Sequence, residues 1–262
     1  MKNKLLKVIT IAACLSLIML AFAGCGNEQQ QGSQKSTLIM GTNAEFPPFE
    51  FISDNGIVEN FDGIDVAIAK EIAANLGMEL KIENMEFESI IPSLKTGKVD
   101  VGIAGMTIKP DRQENVDFTD TYYKATQVMI VREDSPIQSA ADLTDKKVGV
   151  VLGYTGDTMV SDMNANISIE RYKKGVDAVV ELKNGKLDAV VIDSAPADAF
   201  VSKNEGLKVV SDSEAFEGEE YAMAVKKGNT ELLDKLNAEL KKLKESGKID
   251  EISQKYIDNM NE

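Results

Sequence analysis

Apolar positions along this chain fall into three regimes. Residues 8–23 are apolar throughout except for Thr10 and Ser16. Residues 27–36 (NEQQQGSQKS) are polar and show no apolar period. From Leu38 onward, short β-rich runs alternate with stretches whose apolar residues recur at helical spacing, the pattern of an α/β protein. Residues 38–40 predict a first strand. Val66, Ile68, Ala69, Ile72, Ala73 and Leu76 predict a helix over 65–76, with Gly77 at its exit. Met78, Leu80 and Ile82 alternate as a strand should, 89–96 reads as a short helix closed by Gly97, and 99–104 as a buried strand.

A second series follows: strands over 127–131 and 147–151, helices over 155–163 and 176–183, a strand over 187–192 and a helix over 196–203. Residues 221–225 form a late strand. Asn229 then caps a long amphipathic helix through Leu233, Leu236, Leu240 and Leu243 that stops at Gly247, and 249–260 is a last helix. Within this order lies a near-repeat. Leu94-Lys95-Thr96-Gly97-Lys98-Val99-Asp100 matches Leu182-Lys183-Asn184-Gly185-Lys186-Leu187-Asp188. Each copy ends a helix at Gly and enters a buried strand past Asp, which suggests two halves of related topology. In open, mostly parallel sheets ligands gather beyond the carboxyl ends of the strands. Here those ends are residues 104–107 and 192–194.

The chain has 262 residues, 43% hydrophobic and 27% charged, a globular balance with room for one large domain or two modest ones. Its net charge of -14 argues against nucleic acid or anionic lipid surfaces as partners. With no His, Ser-His and Cys-His nucleophiles and most zinc or haem chemistry drop out. No metal site and no cofactor is expected.

The first regime is a secretory signal: Lys2, Lys4 and Lys7 precede the apolar run, and Ala23-Gly24 precede Cys25. The end of that run resembles the lipobox of bacterial lipoproteins, whose Cys becomes the acylated first residue; Phe22 stands where that pattern usually has Leu. The resemblance implies a signal over 1–24, a lipid on Cys25, a flexible tether over 25–36, and a cell-membrane location on the extracytoplasmic face. Cleavage removes three basic residues and no acidic ones, taking the charge from -14 to -17. Cys14 leaves with the signal, so no disulfide remains.

Several segments converge on a family. Residues 42–51 (TNAEFPPFEF) are followed by 61–65 (FDGID), Phe87 with 90–94 (IIPSL), and 104–107 (AGMT) with Arg112. Then come 117–119 (DFT), Tyr122-Tyr123, 153–156 (GYTG) and 188–193 (DAVVID). In this order and spacing, residues 38–262 resemble the extracellular family 3 solute-binding proteins of polar amino acid ABC importers. The resemblance implies a two-lobed periplasmic-binding-protein type II-like fold, each lobe a mixed, mostly parallel sheet flanked by helices. The expected division is 37–123 with 221–262 as lobe 1 and 124–220 as lobe 2. The expected partners are a free amino acid and a membrane permease, and the protein is expected to be a monomer and no enzyme.

The implied site must grip a zwitterion. Arg112 matches the family's carboxylate-binding Arg, its planar fork suiting a bidentate contact. Asp193 matches the ammonium-binding Asp, and Thr107 with Ala104 and Gly105 matches the hydroxyl and carbonyl contacts. Thr155 opens a helix whose positive end suits the carboxylate. Phe46 and Phe87 match the aromatic residues that flank the ligand's aliphatic part. Asn43, an amide where some relatives carry an acid, favours a polar neutral side chain; a basic one, or cystine, stays open. Glu45 could attract a cation or be solvated, and Tyr154 replaces a small hydroxyl residue. Two alternatives stand beside this reading: a dehydratase-like enzyme of the same fold with Glu45 as acid, and a ligand-sensing receptor subunit.

Overall fold

The computed structural model of the chain describes residues 36–163 and 165–258. The signal segment, Cys25, the tether up to residue 35 and the predicted end of the last helix lie outside them. Strands and helices alternate as the apolar pattern predicts, and they build two large sheets and a small one. In the first, β1 (Thr37–Thr42) runs parallel to β5 (Glu79–Asn84) on one side and β6 (Val101–Gly102) on the other. Antiparallel β14 (Ala224–Lys226) and β7 (Val116–Phe118) complete the order β5-β1-β6-β14-β7. The second sheet runs β10 (Ser168–Tyr172), β9 (Lys147–Val151), β11 (Ala189–Asp193), β8 (Tyr123–Arg132), β12 (Leu207–Val210). Strands β10, β9 and β11 are parallel, whereas β8 is antiparallel to both its neighbours.

The near-repeat has the same construction in both sheets. Helix α2 (Ile90–Thr96) ends at Gly97 with φ 75°, and its counterpart α5 (Gly175–Lys183) is followed by Gly185 with φ 73°, left-handed conformations that Gly adopts at no steric cost. Asp100 then accepts from the N–H of Ile39 at 2.8 Å, and Asp188 accepts from the N–H of Lys147 at 2.8 Å. Each Asp ties the incoming strand to its parallel neighbour, β1 in the first sheet and β9 in the second. That pairing explains why both copies keep Asp at the same place.

Helix α1 (Ile64–Asn75) covers the first sheet by burying Ile64, Val66, Ile68, Ala69, Ile72 and Ala73. Each Ile or Val side chain taken out of water contributes about 1.5–3 kcal/mol. Strand β11 is buried at all five positions, as an inner strand covered on both faces must be.

Two predicted strands differ in extent. Residues 221–225 are two strands, β13 (Gly218–Tyr221) and β14, broken at Ala222-Met223. The chain changes partners there: β13 pairs with β8, and β14 enters the first sheet. Residues 99–104 are buried except half-buried Asp100, but only Val101–Gly102 keep a ladder. Short β2 (Glu45–Phe46), β3 (Glu50–Ile52) and β4 (Phe61–Asp62) form a third sheet too brief to leave a period in the sequence. Strand β10 is an edge strand with no fully buried residue, so it too carried no apolar signal.

Candidate functional site

The chain beyond β6 and β11 delivers the polar residues. Thr107, three residues beyond Ala104, forms a β-bridge with Tyr221, and the short helix α3 (Pro110–Gln113) carries Arg112 back over it. Arg112 is only 6% exposed. Its Nη1 donates to the Thr107 carbonyl at 2.9 Å and its Nη2 to the Gly153 carbonyl at 3.0 Å, while the guanidinium lies 5.1 Å from the Phe87 ring centroid. Gly153 belongs to the turn after β9, so one side chain joins the chain beyond β6 to the chain beyond β9. Burial pushes the Arg112 pKa down, opposed by the negative charges of Asp111, Asp193 and Glu219. Thr155, the first residue of α4 (Thr155–Asp162), donates its hydroxyl to Thr107 Oγ1 at 3.0 Å.

Gly105 sits at φ 52°, where a side chain would be strained, and a Cβ there would lie 2.5 Å from the Phe46 ring. Its N–H donates to Asp65 Oδ2 at 2.8 Å, which also accepts from the Tyr122 hydroxyl at 2.8 Å. Burial raises Asp65 to about 6 against those hydrogen bonds, and burial with the nearby charge of Asp65 holds Glu50 well above the usual carboxylate range.

Asp193 closes β11 and stands at the start of α6 (Ser194–Ser202), yet its side chain makes no capping bond. It accepts from the Tyr221 hydroxyl at 2.6 Å instead and is 3% exposed. Burial first, then the charge of Glu219, raise it to about 7. Glu219, equally buried, accepts from Thr107 Oγ1 at 2.5 Å and from Gln127 Nε2 at 2.8 Å.

The aromatic residues depart from expectation. The ring of Tyr154, itself buried, meets Phe46 edge-on at 5.3 Å between centroids and Phe87 at 4.8 Å. A residue from the chain after β9 therefore touches both rings expected to flank the ligand. Its hydroxyl donates to Asn43 Oδ1 at 2.7 Å, while Asn43 Nδ2 donates to the Met85 carbonyl at 2.9 Å. The amide expected to read a ligand side chain is thus engaged on both ends. Glu45 is paired with Lys174 at 2.6 Å, so its charge is already met. Ala104 is buried in the apolar cluster of Ile90, Leu94 and Met106.

The structure gathers Gly105, Thr107, Arg112, Thr155, Phe46, Phe87 and Asn43 into one connected region, with Asp193 joined through Tyr221, whose ring centroid lies 6.5 Å from that of Phe46. Sequence reasoning missed Glu219, Gln127 and Tyr221. Alternation was the available signal: in Gly218-Glu219-Glu220-Tyr221 the second and fourth positions are buried and the others exposed, which puts an acid on the inner face beside Tyr221.

The two sheets, the repeated turns and this cluster can be set beside known proteins. Residues 38–259 match the model of bacterial extracellular solute-binding proteins, family 3. The chain belongs to that family. It is 34% identical to the arginine-binding extracellular protein ArtP of Bacillus subtilis, with 95% of this chain and 96% of ArtP covered. It is 37% identical to a probable histidine-binding protein of Neisseria gonorrhoeae, covering 94% of each. Among solved structures, a mutant of ArgBP from T. maritima superposes with a TM-score of 0.79 and 47% identity, over 85% of this chain and 96% of the other. An ancestral arginine-binding protein bound to glutamine gives 0.79 and 43%, over 85% and 98%. The two-lobed architecture of family 3 is therefore the fold of this protein, and its relatives are amino acid binding proteins of transporters. Among the described residues of this family 3 chain, no His/Cys/Asp/Glu group could hold a metal ion, and no helix is long and apolar enough to cross a membrane.

Proposed function

We propose that this chain captures a free amino acid outside the cytoplasm and delivers it to the permease of an ABC importer. The observation that carries the reading is the placement of Arg112. A nearly buried guanidinium reaches the main chain of both halves beside Thr107 and Thr155, with the buried carboxylate of Asp193 in its field. Arg112 then takes the ligand carboxylate, helped by the N-terminal end of α4, and Asp193 takes the ammonium. The lobes are 37–123 with 221–262, and 124–220. They close about two crossings, residues 123–126 and 218–221, which pair with each other from Tyr221↔Tyr123 to Gly218↔Thr126. Closure removes water from the charge contacts, which strengthens them while the desolvation cost offsets much of the gain. The relatives named for arginine, histidine and glutamine favour a polar or basic side chain. Cys25 carries the lipid anchor; Cys25→Ser moves the protein from the membrane fraction to the soluble one.

A thermal-shift screen of the twenty amino acids with cystine and ornithine tests the reading, since a ligand that binds only the folded form raises the melting temperature. At least one amino acid should give a shift that Arg112→Ala and Asp193→Ala each abolish. Normal binding by both variants would remove these residues from the site. Turnover of a carboxylated ring substrate would instead favour the enzymatic alternative.

A further inference from the structure

A hydroxyl has one proton to give, and the hydrogen bonds of this site show where each one goes. Thr107 gives its proton to Glu219 Oε2 at 2.5 Å. Thr155 gives its proton to Thr107 at 3.0 Å. Neither threonine has a proton left for a ligand, so both face the site as acceptors. The other oxygen of Glu219 takes the Gln127 amide at 2.8 Å, and Gln127 is the cross-strand partner of Asp193. Glu219 and Tyr221 lie two apart on β13 and share its buried face; Tyr221 holds Asp193, and Glu219 holds Thr107. An ammonium group, with three N–H donors, fits such a rim of acceptors.

We propose that Glu219 is a positioning residue for capture: it fixes Thr107 and Thr155 as acceptors, and its charge beside Asp193 helps that carboxyl keep a proton while the site is empty and give it up when an ammonium arrives. The inference rests on the amino acid reading of the site. Glu219 and Asp193 meet at Gln127, whose amide donates to Glu219 and whose strand position lies opposite Asp193, and a like charge beside a buried carboxyl favours its protonated form. Arg112 supplies positive charge to both, Lys109 bears on Glu219, and Glu50, Tyr154 and Tyr221 also face Asp193. Burial holds the three last above their ordinary pKa values, and Arg112 is the one buried cation among the described groups near Asp193. On binding, the proton leaves Asp193 for the buffer and the ligand ammonium replaces it; no covalent bond of the ligand changes. Without ligand, Asp193 is held at about 7.

The test is calorimetric titration of the whole folded protein with each of the twenty L-amino acids, L-arginine first. Titrations at pH 6.0 and 8.5, in buffers of different ionisation enthalpy, give the protons released per ligand bound. The expected result is release approaching about one proton at pH 6.0 and close to none at 8.5, with the dissociation constant rising by up to about tenfold per unit below pH 7. Glu219→Gln should reduce both the release and the pH dependence to the part that burial of Asp193 alone maintains, and Glu219→Asp should restore part of what is lost. Binding by the unaltered protein without proton release overturns the inference while sparing the amino acid reading, and needs no variant to fold. Equal release from a folded Glu219→Gln variant overturns it too. Absence of binding by all twenty amino acids overturns the reading of the site and the inference together.

Discussion

Replacing Gly105 by Ala probes the tightest packing in the site. Two costs can be worked out separately. Gly105 has φ 52°, and placing a side-chain-bearing residue in that left-handed region costs about 1–2 kcal/mol. The new methyl would also lie 2.5 Å from Phe46 Cε1 and 3.3 Å from the Tyr221 ring. Phe46 cannot simply move aside, because Phe49 stacks on it at 5.6 Å and Tyr154 abuts it at 5.3 Å. Overpacking of that kind costs about 1–3 kcal/mol. The sum is about 2–5 kcal/mol, or about 4–20 °C in melting temperature for a fold of this size. Gly97→Ala is the control: its φ is 75°, but a Cβ there meets nothing within 4 Å, so only the backbone cost of about 1–2 kcal/mol applies. Calorimetric melts without ligand should order the proteins as unaltered, Gly97→Ala, Gly105→Ala. Ligand affinity should fall only in the last. If the two variants melt within about 2 °C of each other, Phe46 does not press on Gly105 and the packing argument is wrong.

Stability of the unliganded protein should depend on pH in an unusual direction. Asp65 and Asp193 are raised from 3.8 to about 6 and about 7, so the folded state binds more protons than the unfolded chain between those limits, and stability rises as pH falls from about 7 towards 4. Asp117, held low by Lys227 and the Gly228 N–H, loses its contribution only below the ordinary carboxylate range, which sets the lower edge. Melts at pH 8 and pH 5 check this, and a lower melting temperature at pH 5 would refute it. Tyr154→Phe keeps the ring contacts but leaves Asn43 Oδ1 without its donor, a loss of about 1–2 kcal/mol. Affinity for the amino acid found in the screen should weaken about 5- to 30-fold, measured by calorimetry; unchanged affinity would mean that the contact is absent from the bound form.

Much of the fold could be read because its signals are local. Helix α1, strand β11 and the Asn229 cap, whose side chain accepts from the Leu232 N–H, follow from periodicity and capping chemistry alone. The two Gly-Lys-x-Asp turns were legible as a repeat because the same hydrogen bond is needed in each sheet. Strands of two or three residues were not legible, since a period needs more positions to show itself. In the site, Arg112, Thr107 and Asp193 stood out through the family resemblance; Asp193 ends β11, Thr107 follows β6, and Arg112 lies on α3 before β7. The partners of those residues did not stand out. Glu219 reaches Thr107 across 112 positions and Tyr154 reaches Asn43 across 111, so no local pattern could pair them.

Strand β8 is continuous for ten residues, yet it serves two neighbours in turn: its first four residues pair with β13 and the remainder with β11 and β12. If the proposed lobes close about this segment, their joint is a hydrogen-bonded ribbon and not a slack loop. Twisting it turns Gln127, the residue at which the pairing changes hands, and with it the acid that Gln127 holds. On the proposed reading opening and recognition would be geared together: the halves would not swing apart without re-aiming the oxygens that receive the guest.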